Sequence, residues 1–309
     1  MSQTCKIVTY HYVRPIKNSK FPKLKGLEAD GFSRQLDYFK IFFKIVTQND
    51  IIDHIYKNKN LPSNSLLLTF DDGLKDHFQF VFPILKKNNL SGVFFPPSKP
   101  IEDKIVLDVH KIHFILEVCK NPSEIIREIL SYVDQLDEPT IDSSKNYLSR
   151  LSTKDRFDSP DIVFIKKILQ RELPRKFRHE LTSQLFDEIV STDEELFSKD
   201  LYLSFDEIKE MNENHMEFGS HSHSHEWLGF LSKTELNDEL LKSKTFLQKI
   251  GLKDNLTLSY PYGNYNEIVK NQAKKMDFKL GFTTDVGDSL LSKSECFTLR
   301  RLDTNDFPQ

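Results

Sequence analysis

Short apolar runs recur in both end portions of the chain and limit its folds more than any other feature. They are KIVTY (6–10), SLLLTF (65–70), GVFFP (92–96), MEFGS (216–220), LTLSYP (256–261) and FKLGFTT (278–284). Each adjoins a segment with helical periodicity. Examples are FSRQLDYFKIFFK (32–44), HFQFVFPILKKN (77–88), KTELNDELLKSKTFLQKI (233–250) and YNEIVKNQAKKM (265–276). Strands that alternate with helices of this length predict βα units and a mainly parallel sheet or barrel.

Glycine placement divides the chain, because tight βα loops need residues tolerant of unusual backbone angles. None lies between Gly92 and Gly219. The intervening VHKIHFILEVCK, SEIIREILSYVDQL and DIVFIKKILQREL carry apolar residues at i, i+3, i+4 and i+7. The expectation is one α/β domain spanning 1–309, interrupted by a mostly helical insertion at about 105–200. His110 and His113 fall on a helix of that insertion, and the basic run 171–179 is expected to form a solvated face.

Composition bounds the rest. At 309 residues, with 38% hydrophobic side chains, the chain can build a large core. Its net charge of -3 offers no basic excess for nucleic acid. Cys5, Cys119 and Cys296 are odd in number and far apart, unlike a disulfide framework or a CxxC metal site. The N-terminal MSQTCKIVTYHYVRP lacks the apolar core and cleavage site of a signal peptide. No run reaches about 18 uninterrupted apolar residues, so no membrane span is expected. These features together predict a cytoplasmic protein.

Three stretches carry chemistry. In LLLTFDDGLKDH, Asp71 and Asp72 leave an apolar run, at the strand end where βα folds place their active sites. Adjacent residues leaving a strand point in different directions, so one carboxylate can hold a cation while the other faces water. The competing reading is an ordinary DDG turn. In FGSHSHSHEWL, His221 and His225 are four apart, which puts both imidazoles on one face of a helical turn. Two histidines, an aspartate and an open position make a catalytic zinc-type site. The competing reading is an exposed polar loop. In LTLSYPYGNYN, Pro261 and Gly263 flank Tyr262, whose N–H the bend can aim at a ligand oxygen. HExxH is absent, which argues against a zincin protease.

Together these motifs resemble the polysaccharide deacetylases of carbohydrate esterase family 4, the chitooligosaccharide deacetylase homology domain. The family's TFDDG stands at Thr69–Gly73, its H-[ST]-x-x-H at His221–His225, and its R-x-P-[YF] at Ser259–Tyr262. The resemblance covers about 1–100 and 200–309. It implies a distorted (β/α)7-type barrel and one divalent metal, with zinc the expected ion, held by Asp72, His221 and His225. It implies Asp71 as general base and the Tyr262 N–H as an oxyanion donor. His223 sits at a variable position of the motif and is expected to point away from the metal.

Two departures from the family pattern matter. The family's C-terminal Leu-x-His, source of its general acid, has no counterpart, because no histidine follows His225. A permuted subset, similar to poly-N-acetylglucosamine deacetylases, takes this histidine from an N-terminal strand, and His11 in VTYHYV looks like that arrangement. The family arginine is replaced by Ser259. Arg14, Arg300 or Arg301 could stand in for it, and Asp303 could serve as an acidic partner of His11.

The implied activity is metal-dependent removal of an N-acetyl, or N-formyl, group from a sugar. The expected substrate is an N-acetylated sugar, a nucleotide-sugar or a lipid-linked oligosaccharide of surface-polysaccharide or glycolipid biosynthesis. The insertion is a candidate cap over the barrel. A second reading is a carbohydrate-binding member of the fold that has lost turnover. A third, a metallophosphatase or nuclease, lacks the additional ligands of a two-metal site.

Overall fold

The computed structural model describes residues 3–154 and 158–308. They form two compact units, one built from 3–16, 25–105 and 198–308, the other from 17–24 and 106–197. The first unit holds nine strands: β1 Thr4–Tyr10, β2 Lys44–Ile45, β3 Ser65–Asp71, β4 Val93–Phe95, β5 Glu217–Phe218, β6 Thr257–Ser259, β7 Leu280–Val286, β8 Ser289–Leu290 and β9 Leu299–Asp303.

Seven of them run in the order β5-β4-β3-β1-β9-β7-β6, each parallel to its neighbour. A parallel bridge between Ser220 and Leu258 joins the two ends. Ser220 N–H donates to the Thr257 carbonyl at 2.8 Å, and the Ser220 carbonyl accepts from Ser259 N–H at 2.9 Å. The sheet thus closes into the expected seven-stranded (β/α) barrel, with a thin seam between β5 and β6. The short β2 pairs with β3, and β8 runs antiparallel beside β1.

A strand covered on both faces must be apolar throughout. All seven residues of β3 are buried. Phe70 stacks between Tyr10 of β1 (5.0 Å) and Phe94 of β4 (4.7 Å). β4 and β5 are shorter than their apolar runs suggest. Pro96 and Pro97 follow β4 and cannot donate to a ladder.

The outer helices follow local signals. Ser232 and Glu235 close a capping box at the start of Lys233–Lys249, and Ser204 and Glu207 do so for Phe205–Glu213. A helix at Gln48–Lys57, outside the periodic segments named above, starts with the same device, Thr47 and Asp50. The segment 77–88 is not one regular helix. His77–Val81 is a π-helical turn, and Phe82–Lys87 continues as α-helix. Pro83 lacks the N–H for a regular bond one turn back, so the ladder widens there.

The second unit is helical, as the periodicity predicts, with helices at Asp108–Val118, Pro122–Asp134, Ser144–Leu151, Pro160–Lys167 and Arg175–Ile189. Its core includes Phe114, packed edge-on against Phe21 (4.7 Å) and Phe197 (4.8 Å). The segment Lys17–Leu24 therefore belongs with the helices, although it lies about ninety residues earlier in the chain. Lys111 is buried, and its ammonium reaches Glu194 and Ser183, each at 2.9 Å. Among the described residues no helix is long and apolar enough to cross a membrane.

Candidate metal and catalytic site

The ends of β3 and β5 deliver three donors to one point. Asp72 Oδ1 lies 3.4 Å from His221 Nε2 and 3.4 Å from His225 Nε2. The three residues are buried, and their ligand atoms all lie within 4.8 Å of one another. Donors about 2.1 Å from a tetrahedral ion lie roughly 3.4 Å apart, so this spacing fits a small divalent cation. His221 Nδ1 lies 2.8 Å from the Ser259 carbonyl, which only accepts. In the neutral ring Nδ1 therefore carries the proton and Nε2 presents its lone pair to the centre, an orientation typical of metal-bound histidine.

The backbone is bent to reach this geometry. Asp72 (φ 74), Ser222 (φ 61), His225 (φ 58) and Tyr262 (φ 56) all adopt the left-handed region. Non-glycine residues held there store strain that the surroundings must enforce, and such residues cluster at functional sites. Gly73 continues the bend at φ +61, and a Cβ there would stand 2.7 Å from the Pro96 ring.

The serines of HSHSH build the loop that holds the histidines. Ser220 Oγ accepts from Ser222 N–H, and Ser222 Oγ accepts from His225 N–H, both at 3.0 Å. Glu239, on the helix Lys233–Lys249, accepts from His223 N–H (3.0 Å) and Ser224 N–H (2.8 Å). His223 is half-buried and turned away from the three donors, with its Nδ1 2.7 Å from Ser98 Oγ. Burial lowers its pKa below the ordinary histidine value.

Asp71 faces another partner. Arg301, in β9, grips it with two donors, Nη1 to Oδ1 at 2.9 Å and Nη2 to Oδ2 at 2.6 Å. Both side chains are buried. Arg301 Nη2 also reaches Ser259 Oγ at 3.1 Å, and Arg301 Nε donates to the Thr283 carbonyl at 2.8 Å. Burial alone would raise the Asp71 pKa. The positive Arg301 opposes it most strongly, with help from His221 and His11, and the carboxyl is held down at about 2.

The other residues named for support lie elsewhere. Arg14 pairs with Asp76, Nε to Oδ2 and Nη2 to Oδ1, both at 2.7 Å. Arg300 faces outward and is exposed. Asp303 is exposed and accepts from the Asn305 N–H at 2.8 Å, capping the turn Thr304–Asp306. The arginine beside Asp71 is therefore Arg301, not Arg14 or Arg300. Strand alternation carries this distinction: Leu299 and Arg301 share the buried face of β9, and Arg300 takes the other.

His11 follows β1, and its side chain is exposed. The buried His77 ring nitrogen Nε2 lies 2.9 Å from the His11 carbonyl and, as donor, fixes the backbone there. Burial drives the His77 pKa down to about 4, so His77 is neutral near pH 7. Tyr262 follows β6, its ring edge-on to His225 at 4.7 Å. No motif in the sequence marks His77 or Glu239. Glu239 was legible as a charge on the apolar face of its helix, among buried Leu236, Leu240 and Ser243.

Known proteins resemble this architecture. The family model described as polysaccharide deacetylase matches residues 189–281, which hold His221, His225 and Tyr262 but not Asp71 or Asp72. YxkH of Bacillus subtilis, which carries the same family name, is 29% identical over 86 residues, covering 28% of this chain and 31% of that protein. Among solved structures, the Streptococcus pyogenes deacetylase PplD is similar at TM-score 0.62 and 16% identity, covering 98% of this chain and 93% of that one. A de-N-acetylase from Aggregatibacter actinomycetemcomitans is similar at TM-score 0.56 and 16% identity, over 98% and 96%. IcaB from Ammonifex degensii is similar at 0.55 and 16%, over 98% and 92%. The structural likenesses speak for the barrel, and the family match speaks for the segment with the paired histidines. With TFDDG at the end of β3, the chain resembles the polysaccharide deacetylases, in its barrel and in the segment 189–281 that their family model matches.

Proposed function

We propose that the protein is a metal-dependent hydrolase that removes an N-acetyl group from a sugar. The observation that carries this reading is the pairing of two adjacent aspartates with different partners. Asp72 joins two histidines in a buried donor set, and Asp71, one residue away, is clamped by Arg301. The same reading extends to an N-formyl group, which differs only in the acyl substituent.

Asp72, His221 and His225 hold one divalent ion, and two imidazoles with a carboxylate suit zinc. Such an ion, when bound, polarises the amide carbonyl and acidifies a water. The residues of the chain supply the rest. Asp71, kept ionised by Arg301, takes the proton of the attacking water. The Tyr262 N–H, aimed by the left-handed backbone, donates to the oxygen that gains charge. His11 donates a proton to the departing amine, and His77 holds the backbone that carries it. Arg301 supplies the arginine beside Asp71, while Ser259 stands where the family motif has one and accepts from the same guanidinium.

Acetate release from N-acetylated sugar oligomers tests this directly. The zinc-loaded protein should release acetate, and Asp71→Asn should lower the rate by about 100-fold or more while metal content stays at one ion per chain. Undiminished release by Asp71→Asn would exclude Asp71 as the base. Release of phosphate from phosphate esters, with none of acetate, would favour the phosphatase reading.

A further inference from the structure

The helix Ala29–Phe42 ends with two bulky apolar side chains in the open. Its buried face is formed by Phe32, Gln35, Leu36 and Phe39. Ile41 and Phe42 lie off that face and are 75% and 54% exposed. Tyr38, half-buried one turn earlier, packs its ring against Phe42 at 4.7 Å. Uncovered apolar side chains in one place are a feature of contact surfaces, unlike single ones scattered over an exterior. The turn that carries them is anchored. Asn64 Nδ2 donates to the Phe42 carbonyl at 3.1 Å, and Phe43 N–H donates to the Phe39 carbonyl at 2.8 Å.

Lysines flank the pair. Lys44 opens β2, and Lys86 and Lys87 end the helix Phe82–Lys87. Lys40 Nζ donates to Asn88 Oδ1 at 2.8 Å, which sets the two helix ends side by side. Lys40 is neutralised by Asp37 at 2.7 Å. Lys44, Lys86 and Lys87 are exposed, and among the described residues none of them is in an ion pair. This end of the barrel is the one away from the donor set. Lys44 pairs with Ser65, the first residue of β3, and Asp71 is its last. Six residues of strand separate them by about 20 Å.

We propose that Ile41 and Phe42, with the lysines around them, dock the protein on an anionic lipid bilayer, with the donor set facing away from it. The inference rests on this surface and not on the deacetylase reading. Apolar side chains enter the boundary between headgroups and acyl chains, while lysines reach the lipid phosphates on flexible stems. Two observations favour lipid over a protein partner. The pair protrudes instead of lining a cleft that a partner's side chain could fill. A second copy would bring the same unpaired cations against these, and like charges oppose such a contact.

Cosedimentation with vesicles tests the proposal. Phosphatidylcholine vesicles holding about one third phosphatidylglycerol should capture the protein, phosphatidylcholine alone should bind it at least about tenfold more weakly, and added salt should loosen capture. Ile41→Ser with Phe42→Ser should lower affinity for the anionic vesicles about tenfold or more, and so should Lys44→Glu with Lys86→Glu and Lys87→Glu. Melting temperatures confirm that both variants fold. Phe42→Trp keeps a ring, so it should bind as the unaltered protein does, and its fluorescence should shift to the blue on the vesicles. No capture by anionic vesicles, equal capture by both kinds, or capture unaffected by the paired serines would overturn the proposal. So would sedimentation velocity that shows a dimer abolished by the paired serines, which would assign the surface to a second copy.

Discussion

Removing the Arg301 guanidinium leaves burial as the dominant influence on Asp71. The carboxyl is now held at about 2, so it is ionised throughout the neutral range and contributes no acidic limb there. Arg301→Ala should raise its pKa, and the acidic limb of kcat/KM should move to higher pH. Arg301→Lys keeps a charge but not the fork, so its shift should be smaller. A pH–rate profile of each variant checks the order. His221 responds in the opposite sense. Burial opposes its imidazolium, yet Asp71 and Asp72 outweigh that and raise its pKa. A metal must displace this proton, so occupancy should fall as pH drops through the raised pKa, with proton release on binding. Zinc titrations in buffers of different ionisation enthalpy measure both. At this scale the motifs marked the three residues that converge and the aspartate beside them, because TFDDG and HSHSH are local. Arg301 could not be singled out by spacing. It lies 230 residues from Asp71, and only the barrel brings them together.

The loop 221–225 depends on a helix that donates nothing to the chemistry. Glu239→Ala leaves the half-buried His223 and Ser224 N–H groups without their acceptor, at a cost of about 1 kcal/mol for each. Zinc affinity should drop about 10- to 100-fold, as for other residues that orient metal ligands, and Glu239→Gln should recover part of it. Competition with a chelating dye reads this. Gly73→Ala sets a Cβ against Pro96 at positive φ, and should destabilise the barrel by at least about 1 kcal/mol in urea unfolding. Six of the seven barrel strands were legible to within a few residues, because a buried parallel strand is a continuous apolar run, whereas β9, LRRLD, has no such run. The helix Gln48–Lys57 was less so, because its apolar positions Ile51, Ile52 and Ile55 are few, and its capping box is the clearer mark. The π-helical turn at His77 follows from Pro83, a single residue whose effect periodicity averages away.

At the level of the whole molecule, the helical middle announced itself through its missing glycines and its period. Its partnership with Lys17–Leu24 did not, since hydrophobic pattern gives the face of a segment but not what covers it. Chelation should lower the melting temperature of the protein, and added zinc should restore it, because a ligand bound only by the folded state stabilises that state. Asp72→Asn should blunt the response, which differential scanning calorimetry measures. The seam between β5 and β6 gives this a sharper form. It consists of the Ser220 and Ser259 backbone bonds, and His221 follows directly, tied to Ser259 by its side chain. Asp72 sits two strands away, past β4. An ion shared by Asp72, His221 and His225 would tie the loop after β5 to the end of β3, and so act as a buckle beside this thin joint of the ring. The amides of Ser220 and Ser259 should exchange hydrogen slowly when the buckle is closed and much faster when it is removed, while those of β3 change little.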